Sequence, residues 1–475
     1  MSMYYLLPFR FFHLDGHDIL VNEVGDYLVT EKGTVKKIVS HSVPKNGELY
    51  KDLVANYFIS EKLIPDLMDA YAVRLRTKKS FLDHFTALHI FVLTLRCNQN
   101  CIYCQASSKN MEESSTLYDM SIENLHMAVR HMFSSPSPFL TMEFQGGESS
   151  LVPDLLQSAI EYAEEQKQIH QKKMTYVLCS NCRDLSDRIL NLCSKYHIFI
   201  STSLDGPEYL HNYNRGKDDS YQKVIAGIQK ARNYLGTEKV SALMTTSEYS
   251  LAYPKEIIDC YLENGFRSIF LRALNPYGLA AGYSQDNGYN DRFIDFYKKA
   301  LDYILTLNRN GCFFVEEFTA LILRKILTPF PIGFVDLQSP AGLINNVVVY
   351  HYDGDVYASD ESRMLGTLGD KTFRLGHVSN SYNDLFYGEK ARELASLWGT
   401  EFIAGCSDCA FQAYCGADPV RNYVTQSDMY GIRPLSSFCK KHKAIILYIF
   451  HLLITRKDEV MPIFQSWITG ENCHD

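Results

Sequence analysis

LTLRCNQNCIYC, residues 93–104, decides how this chain is read. It places Cys97, Cys101 and Cys104 at C-x3-C-x2-C spacing directly after an apolar run. Thiolates so close together gather on one loop and ligate soft metal, an iron–sulfur cluster or zinc. Zinc would want a fourth local ligand, and the loop offers no nearby Cys or His. Three thiolates on a four-iron cluster leave one iron open, and an open iron can do chemistry.

Working outward, the run belongs to a strand–helix alternation. Strands are expected at residues 88–95, 139–145, 174–180, 197–204, 239–246 and 268–274. Helical patterns fall near 121–133, 153–170, 184–195, 220–235 and 254–264. Six such repeats imply an α/β fold with a parallel sheet, either a partial barrel or an open doubly wound sheet. In both, the site lies at the C-terminal ends of the strands. Cys97 follows the first strand, Gly146-Gly147-Glu148 the second, Ser180-Asn181 the third, and Ser203 to Gly206 the fourth.

Residues 1–80 read as a separate small domain, with strands at 9–14, 19–23 and 27–30 and helices near 48–59 and 61–76. Residues 81–330 hold the β/α repeats. In the third unit, 331–475, residues 345–350 and 356–358 flank an Asp353-Gly354 turn and read as a hairpin. The apolar run 444–454 contains His451 and is too short to span a bilayer, so a buried helix is expected.

The net charge of −8 gives no global basic field for nucleic acid or an anionic membrane. Basic runs at 74–79 and 167–173 fall at expected helix ends, as solvated faces. Thirteen cysteines without a recognisable secretory signal argue for metal over disulfides and for a cytoplasmic protein.

The cysteine loop with Tyr103 before its third thiol, FQGGES at 144–149 and STSLDGPEYLHNYNRG at 201–216 resemble the radical S-adenosylmethionine (SAM) superfamily. The resemblance implies a partial (β/α)6 TIM-like barrel. It also implies a [4Fe-4S] cluster on Cys97, Cys101 and Cys104, with SAM on the open iron. By the same resemblance Gly146, Gly147 and Glu148 meet the methionine ammonium. Ser203 contacts the cofactor, Arg215 pairs with its carboxylate, Asn181 binds the same end, and Tyr103 lies near the adenine. Ser149 stands where the family usually has proline.

A second group, Cys406, Cys409 and Cys415 at C-x2-C-x5-C followed by Cys439, resembles the SPASM extension of radical enzymes that modify peptides. That extension usually carries two auxiliary clusters. Here the ligands of the cluster farther from the radical site are present, while Ser339, Ser359 and Pro419 occupy ligand positions of the nearer one. The expectation is one catalytic and one auxiliary [4Fe-4S] cluster. A four-cysteine zinc site fits the second spacing as well. Asp360, next to Ser359, matches a substrate-deprotonating aspartate of some relatives and is otherwise a solvated turn carboxylate. ILVNEVGDYLV at 19–29 with the helices after it resembles a winged-helix peptide-recognition domain, which adds a peptide strand to its sheet edge. Cys179 and Cys182 form a C-x2-C that alone suggests a redox pair or metal clip and are read as unliganded thiols, with Cys193, Cys260 and Cys312 as core and Cys473 as a disordered end. His126, His131 and His211 have no partners at ligand spacing.

Longer stretches, at 118–148, 201–215, 240–246, 266–278, 351–370 and 415–426, resemble the His-Xaa-Ser system radical SAM maturases, over about residues 5–445. This resemblance implies an enzyme that cleaves SAM reductively. It would abstract hydrogen from a ribosomally made precursor peptide bearing His-Xaa-Ser repeats and install a modification such as a crosslink. A second radical SAM protein and a flavodoxin- or ferredoxin-type reductant are the further partners it implies. A sulfatase-maturing oxidase and a non-catalytic zinc-bound peptide scaffold are the rival readings.

Overall fold

The computed structural model describes residues 4–63, 67–281, 288–396 and 399–471. Cys473 lies outside them. At its centre is Leu88–Thr94, the first barrel strand, whose Ile90, Phe91, Val92 and Leu93 are all buried. A strand apolar on both faces belongs inside a parallel sheet covered on both sides. Phe139–Gly146 pairs parallel on one flank, followed by Lys173–Ser180, Phe199–Ser203 and Val240–Leu243, each parallel to the last. The helices Ile122–Ser134, Pro153–His170, Asp187–Lys195 and Ser220–Leu235 cross between these strands. Ser121 and Ser186 cap two of them by accepting from Asn124 N and Ile189 N.

The sixth expected strand, 268–274, is the one that departs most. Only Ser268–Ile269 forms a ladder, with Val315–Glu316, and contact with the fifth strand is a single bridge between Thr246 and Ala273. The cause is Glu316, whose carboxylate accepts from Leu271 N at 3.1 Å and from Thr319 N at 2.6 Å. A side chain there takes a backbone donor that a ladder would use.

On the other flank of the first strand, Val347–Tyr350 pairs parallel, register Val347 to Leu88. The expected hairpin, Val347–Tyr350 with Asp355–Tyr357, thus extends the barrel sheet, and Arg374–His377 closes it as an eighth strand.

In the N-terminal region Phe9–Leu14, His17–Asn22 and Tyr27–Glu31 form an antiparallel sheet in that order. The helices differ from expectation. Thr34–Val39 is an additional helix, and the next is Glu48–Ala55, shorter than the expected 48–59. Tyr57 takes φ +62° and ends it, which frees Ile59–Ser60 to pair with Tyr5–Leu6. The following helix is Leu67–Lys78. This region packs on the C-terminal one. Tyr414 Oη donates to Gly25 O at 2.9 Å, and the rings of Tyr27 and Phe450 meet at 5.3 Å. The apolar run at 444–454 lies in the buried-faced helix Ser437–Thr455, as expected. Among the described residues no helix is long and apolar enough to cross a membrane.

Candidate active site

The C-terminal strand ends surround a cavity of about 340 Å³. Its lining contains every residue expected at the first site: Cys97, Cys101, Cys104, Tyr103, Gly146, Gly147, Glu148, Asn181, Ser203, Arg215 and Asp360.

Glycine is required where the second strand meets the cysteine loop. A Cβ on Gly147 would stand 2.2 Å from Arg96 O and 2.6 Å from Leu95 O, so the backbone immediately before Cys97 passes through that space. Gly216, at φ +67°, closes the helix Glu208–Arg215, and a Cβ there would stand 2.4 Å from Asn100 O. Between these two contacts Ile102 N donates to Asn214 O at 3.0 Å, and the loop is held at three places.

Glu148 is 1% exposed and accepts from Ser180 Oγ and Asn181 N, both at 2.8 Å. Its carboxylate therefore ties the second strand end to the third. Asn181 in turn donates to Asn98 Oδ1 at 2.7 Å, inside the cysteine loop. Beneath lies a buried pair. Arg215 donates to Asp205 through Nη2 at 2.8 Å and Nε at 2.9 Å, while Tyr103 Oη and Thr245 N, the latter at 3.1 Å, donate to the same carboxylate. Burial alone would raise the Asp205 pKa, but the Arg215 charge and these bonds outweigh it and hold it below the usual value. Arg215 Nη1 stays directed at Cys101 Sγ, 3.8 Å away.

The three thiols feel one another. Burial, then Glu148, then Cys101 and Cys104 push Cys97 up, against a backbone bond from Gln99. Cys101 rises to about 11, with Arg215 opposing its burial. A bound metal group would reverse these shifts by stabilising thiolates. Among the described residues no three His, Cys, Asp or Glu side chains converge closely enough to hold a single ion. A trio of neighbouring but separated thiols on one loop suits a group several atoms across, with Arg215 offsetting its negative charge.

Asp360 is not a solvated turn residue. It opens the helix Asp360–Thr367 and accepts from Arg363 Nε at 2.8 Å, with Arg363 itself 1% exposed. Two cavity residues, Glu143 and Arg272, went unnoticed in the sequence, and a third, Cys179, was read there only as an unliganded thiol. Glu143, Cys179 and Arg272 line it too, and among the described residues nothing bonds the Arg272 guanidinium. Their signal was polar residues at alternate positions of strands whose other face is apolar, as in Met142-Glu143-Phe144-Gln145.

The second cysteine group gathers apart from this cavity. Cys439 sits in the first turn of Ser437–Thr455, its N donating to Ser436 Oγ at 3.2 Å. Burial raises Cys415 to about 12, Lys325 opposes, and Cys439 and Cys406 add to the rise. Arg433 opposes the burial of Cys406 in the same way. Lys325 beside Cys415, and Arg433 beside Cys406 and Cys439, are cations that suit an anionic cluster. The substituted positions have other work. Ser339 accepts from Thr400 N at 2.8 Å, Ser359 forms a capping box with Ser362, and Pro419 starts the helix Pro419–Gln426. The space between Ser359 and Pro419 is about 30 Å³, room for a water or two.

Residues 91–260 match the model of the radical SAM superfamily. That stretch is a radical SAM domain, and it takes in the cysteine loop, Gly146-Gly147-Glu148, Asn181, Ser203 and Arg215. A "Cysteine-type anaerobic sulfatase-maturating enzyme" of Clostridium perfringens is 22% identical over 383 residues, 75% of this chain and 94% of that protein. An uncharacterized protein of Methanothermobacter thermautotrophicus is 28% identical over 184 residues, 38% of this chain and 65% of that protein's length. Among solved structures, native anSMEcpe with bound AdoMet superposes with TM-score 0.63 at 18% identity, covering 79% of this chain and 100% of that one. Streptococcus suis SuiB bound to precursor peptide SuiA gives 0.50 at 13% identity, covering 92% and 100%. At such identities the structures establish the fold.

Proposed function

We propose that this protein is a cytoplasmic peptide maturase that modifies a ribosomally made precursor, one bearing His-Xaa-Ser repeats. The carrying observation is the single cavity that unites the Cys97/Cys101/Cys104 loop with Gly146-Gly147, Asn181, Ser203 and Arg215. When bound there, a [4Fe-4S] cluster and SAM would supply a 5′-deoxyadenosyl radical by one-electron cleavage of the sulfonium, the electron coming from a flavodoxin or ferredoxin. The chain's own part is placement. Cys97, Cys101 and Cys104 would hold the cluster, the Arg215 Nη1 edge would meet the carboxylate of SAM, and the strand-end carbonyls around Gly146 would accept from its ammonium. Cys406, Cys409, Cys415 and Cys439 would hold one auxiliary cluster. Asp360 would take a proton from the substrate, its carboxylate kept in place by Arg363.

A peptide substrate is supported by SuiB, solved with its precursor peptide, and by a further anSMEcpe structure with AdoMet and the Cp18Cys peptide. Among the described residues the edge strands of the N-terminal sheet, Phe9–Leu14 and Tyr27–Glu31, pair on one side only, leaving the other for strand addition. The second reading is a sulfatase-type oxidation of one side chain, favoured by the length of the Clostridium match.

The experiment is anoxic turnover with SAM, a low-potential reductant and a His-Xaa-Ser repeat peptide. Stimulation of 5′-deoxyadenosine formation by that peptide, with a chemical change mapped inside the repeat, is the expected result. Equal 5′-deoxyadenosine with and without the peptide, and an unaltered peptide, would refute this substrate. A sulfatase-derived peptide altered in its place would establish the second reading.

A further inference from the structure

Cys179 and Glu143 face the radical cavity without a role in the reaction as described so far. Glu143 lies on the second barrel strand between buried Met142 and Phe144, and Cys179 on the third between buried Leu178 and Ser180. Alternation along each strand sends both toward the cavity that they line. The Cys179 thiol donates to Glu143 Oε1 at 3.5 Å, and the Gln145 amide donates to the same oxygen. Burial foremost, then the nearby Glu143 and Asp360, push the thiol far above its usual pKa, with Arg272 opposing. Burial raises Glu143 as well.

Hydrogen-bonded to Glu143 on a neighbouring strand, this thiol stands outside the Cys97/Cys101/Cys104 loop. What it keeps is an S–H bond, weaker than an unactivated C–H bond, inside the space where carbon radicals would form. We propose that Cys179 is a catalytic hydrogen-atom donor to carbon radicals in this cavity, with Glu143 as the group that returns a proton to its sulfur. The proposal rests on the radical reading of the site and deepens it. Hydrogen abstraction from the substrate gives a carbon radical and 5′-deoxyadenosine. The S–H bond of Cys179 then breaks, a C–H bond forms on the substrate, and the sulfur is left as a thiyl radical. One electron from the low-potential carrier that serves the site, and one proton from solvent through Glu143, restore the thiol. The substrate carbon ends with as many hydrogens as it began, so the product is an isomer, inverted where hydrogen returns to the opposite face. A crosslink would instead leave the peptide two hydrogens lighter.

The test needs no precursor. The reconstituted holoenzyme is turned over in D2O with SAM and a flavodoxin reducing system, and the deuterium fraction of the 5′-deoxyadenosine is read by mass spectrometry. With no peptide present the adenosyl radical is itself the acceptor, and wild type is expected to give singly deuterated product. In Cys179→Ala and Cys179→Ser the label per 5′-deoxyadenosine formed falls to natural abundance. Unlabelled wild-type product, or equal label in the variants, overturns the proposal. Wild type that forms no 5′-deoxyadenosine at all fails the radical reading itself. A second arm uses metal-free protein and needs no turnover. The infrared difference between wild type and Cys179→Ser should show one S–H stretch that shifts in Glu143→Gln. Absence of the band, or a band indifferent to Glu143, overturns the dyad.

Discussion

Asp205→Asn perturbs the buried support of the cysteine loop without removing an atom's worth of volume. Asp205 is fully buried and accepts four bonds, two from Arg215, one from Tyr103 and one from Thr245 N. The asparagine amide keeps one oxygen for Thr245 but turns an NH2 toward Arg215 and Tyr103, and Arg215 is left as a buried charge without its counter-ion. Breaking one partner of a buried pair costs about 3–5 kcal/mol. At roughly 2–4 °C per kcal/mol for a domain of this barrel's size, the unfolding midpoint of metal-free protein should fall by about 6–20 °C at pH 7. Arg215→Met in the Asp205→Asn background removes the stranded charge, so the double variant should be more stable than the sum of the two singles predicts. The pH dependence has a definite sign. The folded pKa of Asp205 is depressed, so the pair contributes fully above the unfolded value of 3.8 and is lost as pH falls through the folded one. Scanning calorimetry or circular dichroism of the four proteins checks this. A shift below about 2 °C for Asp205→Asn, or strict additivity in the cycle, would refute the claim that this pair underpins the loop.

Gly147→Ala places a methyl 2.2 Å from Arg96 O, a backbone atom that cannot swing away, so the strand end or the cysteine loop must move. The expected cost is about 1–3 kcal/mol with a lowered iron content after reconstitution, measured by calorimetry and iron assay; wild-type values in both would contradict it. Glu361 is partly buried, and its desolvation, followed by the charges of Asp336, Asp360 and Asp418, raises its pKa to about 8. Its contribution is therefore present below the unfolded value of 4.5 and lost as pH rises through the folded one, on the order of 3 kcal/mol between pH 5 and 8. Glu361→Gln, neutral at every pH, should match wild type near pH 5 and exceed it at pH 8 in urea unfolding of metal-free protein, whereas parallel pH profiles would exclude a protonated Glu361.

The barrel was legible because its code is local. Leu88–Thr94 is apolar throughout, the next strands alternate, and serine caps mark helix starts at Ser121 and Ser186. The first site was legible for the same reason, since its residues follow strand ends in order along the chain. What escaped depends on partners distant in sequence. The sixth strand frays because of Glu316, some 45 residues away, and Val347–Tyr350 joins the first strand across more than 250. Glu143 looked like one polar residue in a strand until the third strand set Cys179 beside it. Arg272 lay in the expected sixth strand with no motif around it. The helix expected to run to residue 59 was cut short by pairing with Tyr5–Leu6, a contact that periodicity within 48–59 cannot reveal.

Iron and 5′-deoxyadenosine, counted per polypeptide on anoxically reconstituted wild type and on the Cys97→Ala/Cys101→Ala/Cys104→Ala variant, test the central claim most directly. The account predicts about eight irons in wild type and about four in the variant, with 5′-deoxyadenosine formed only by the former. A variant that still cleaves SAM, or a wild type that takes up zinc and no iron, would contradict it.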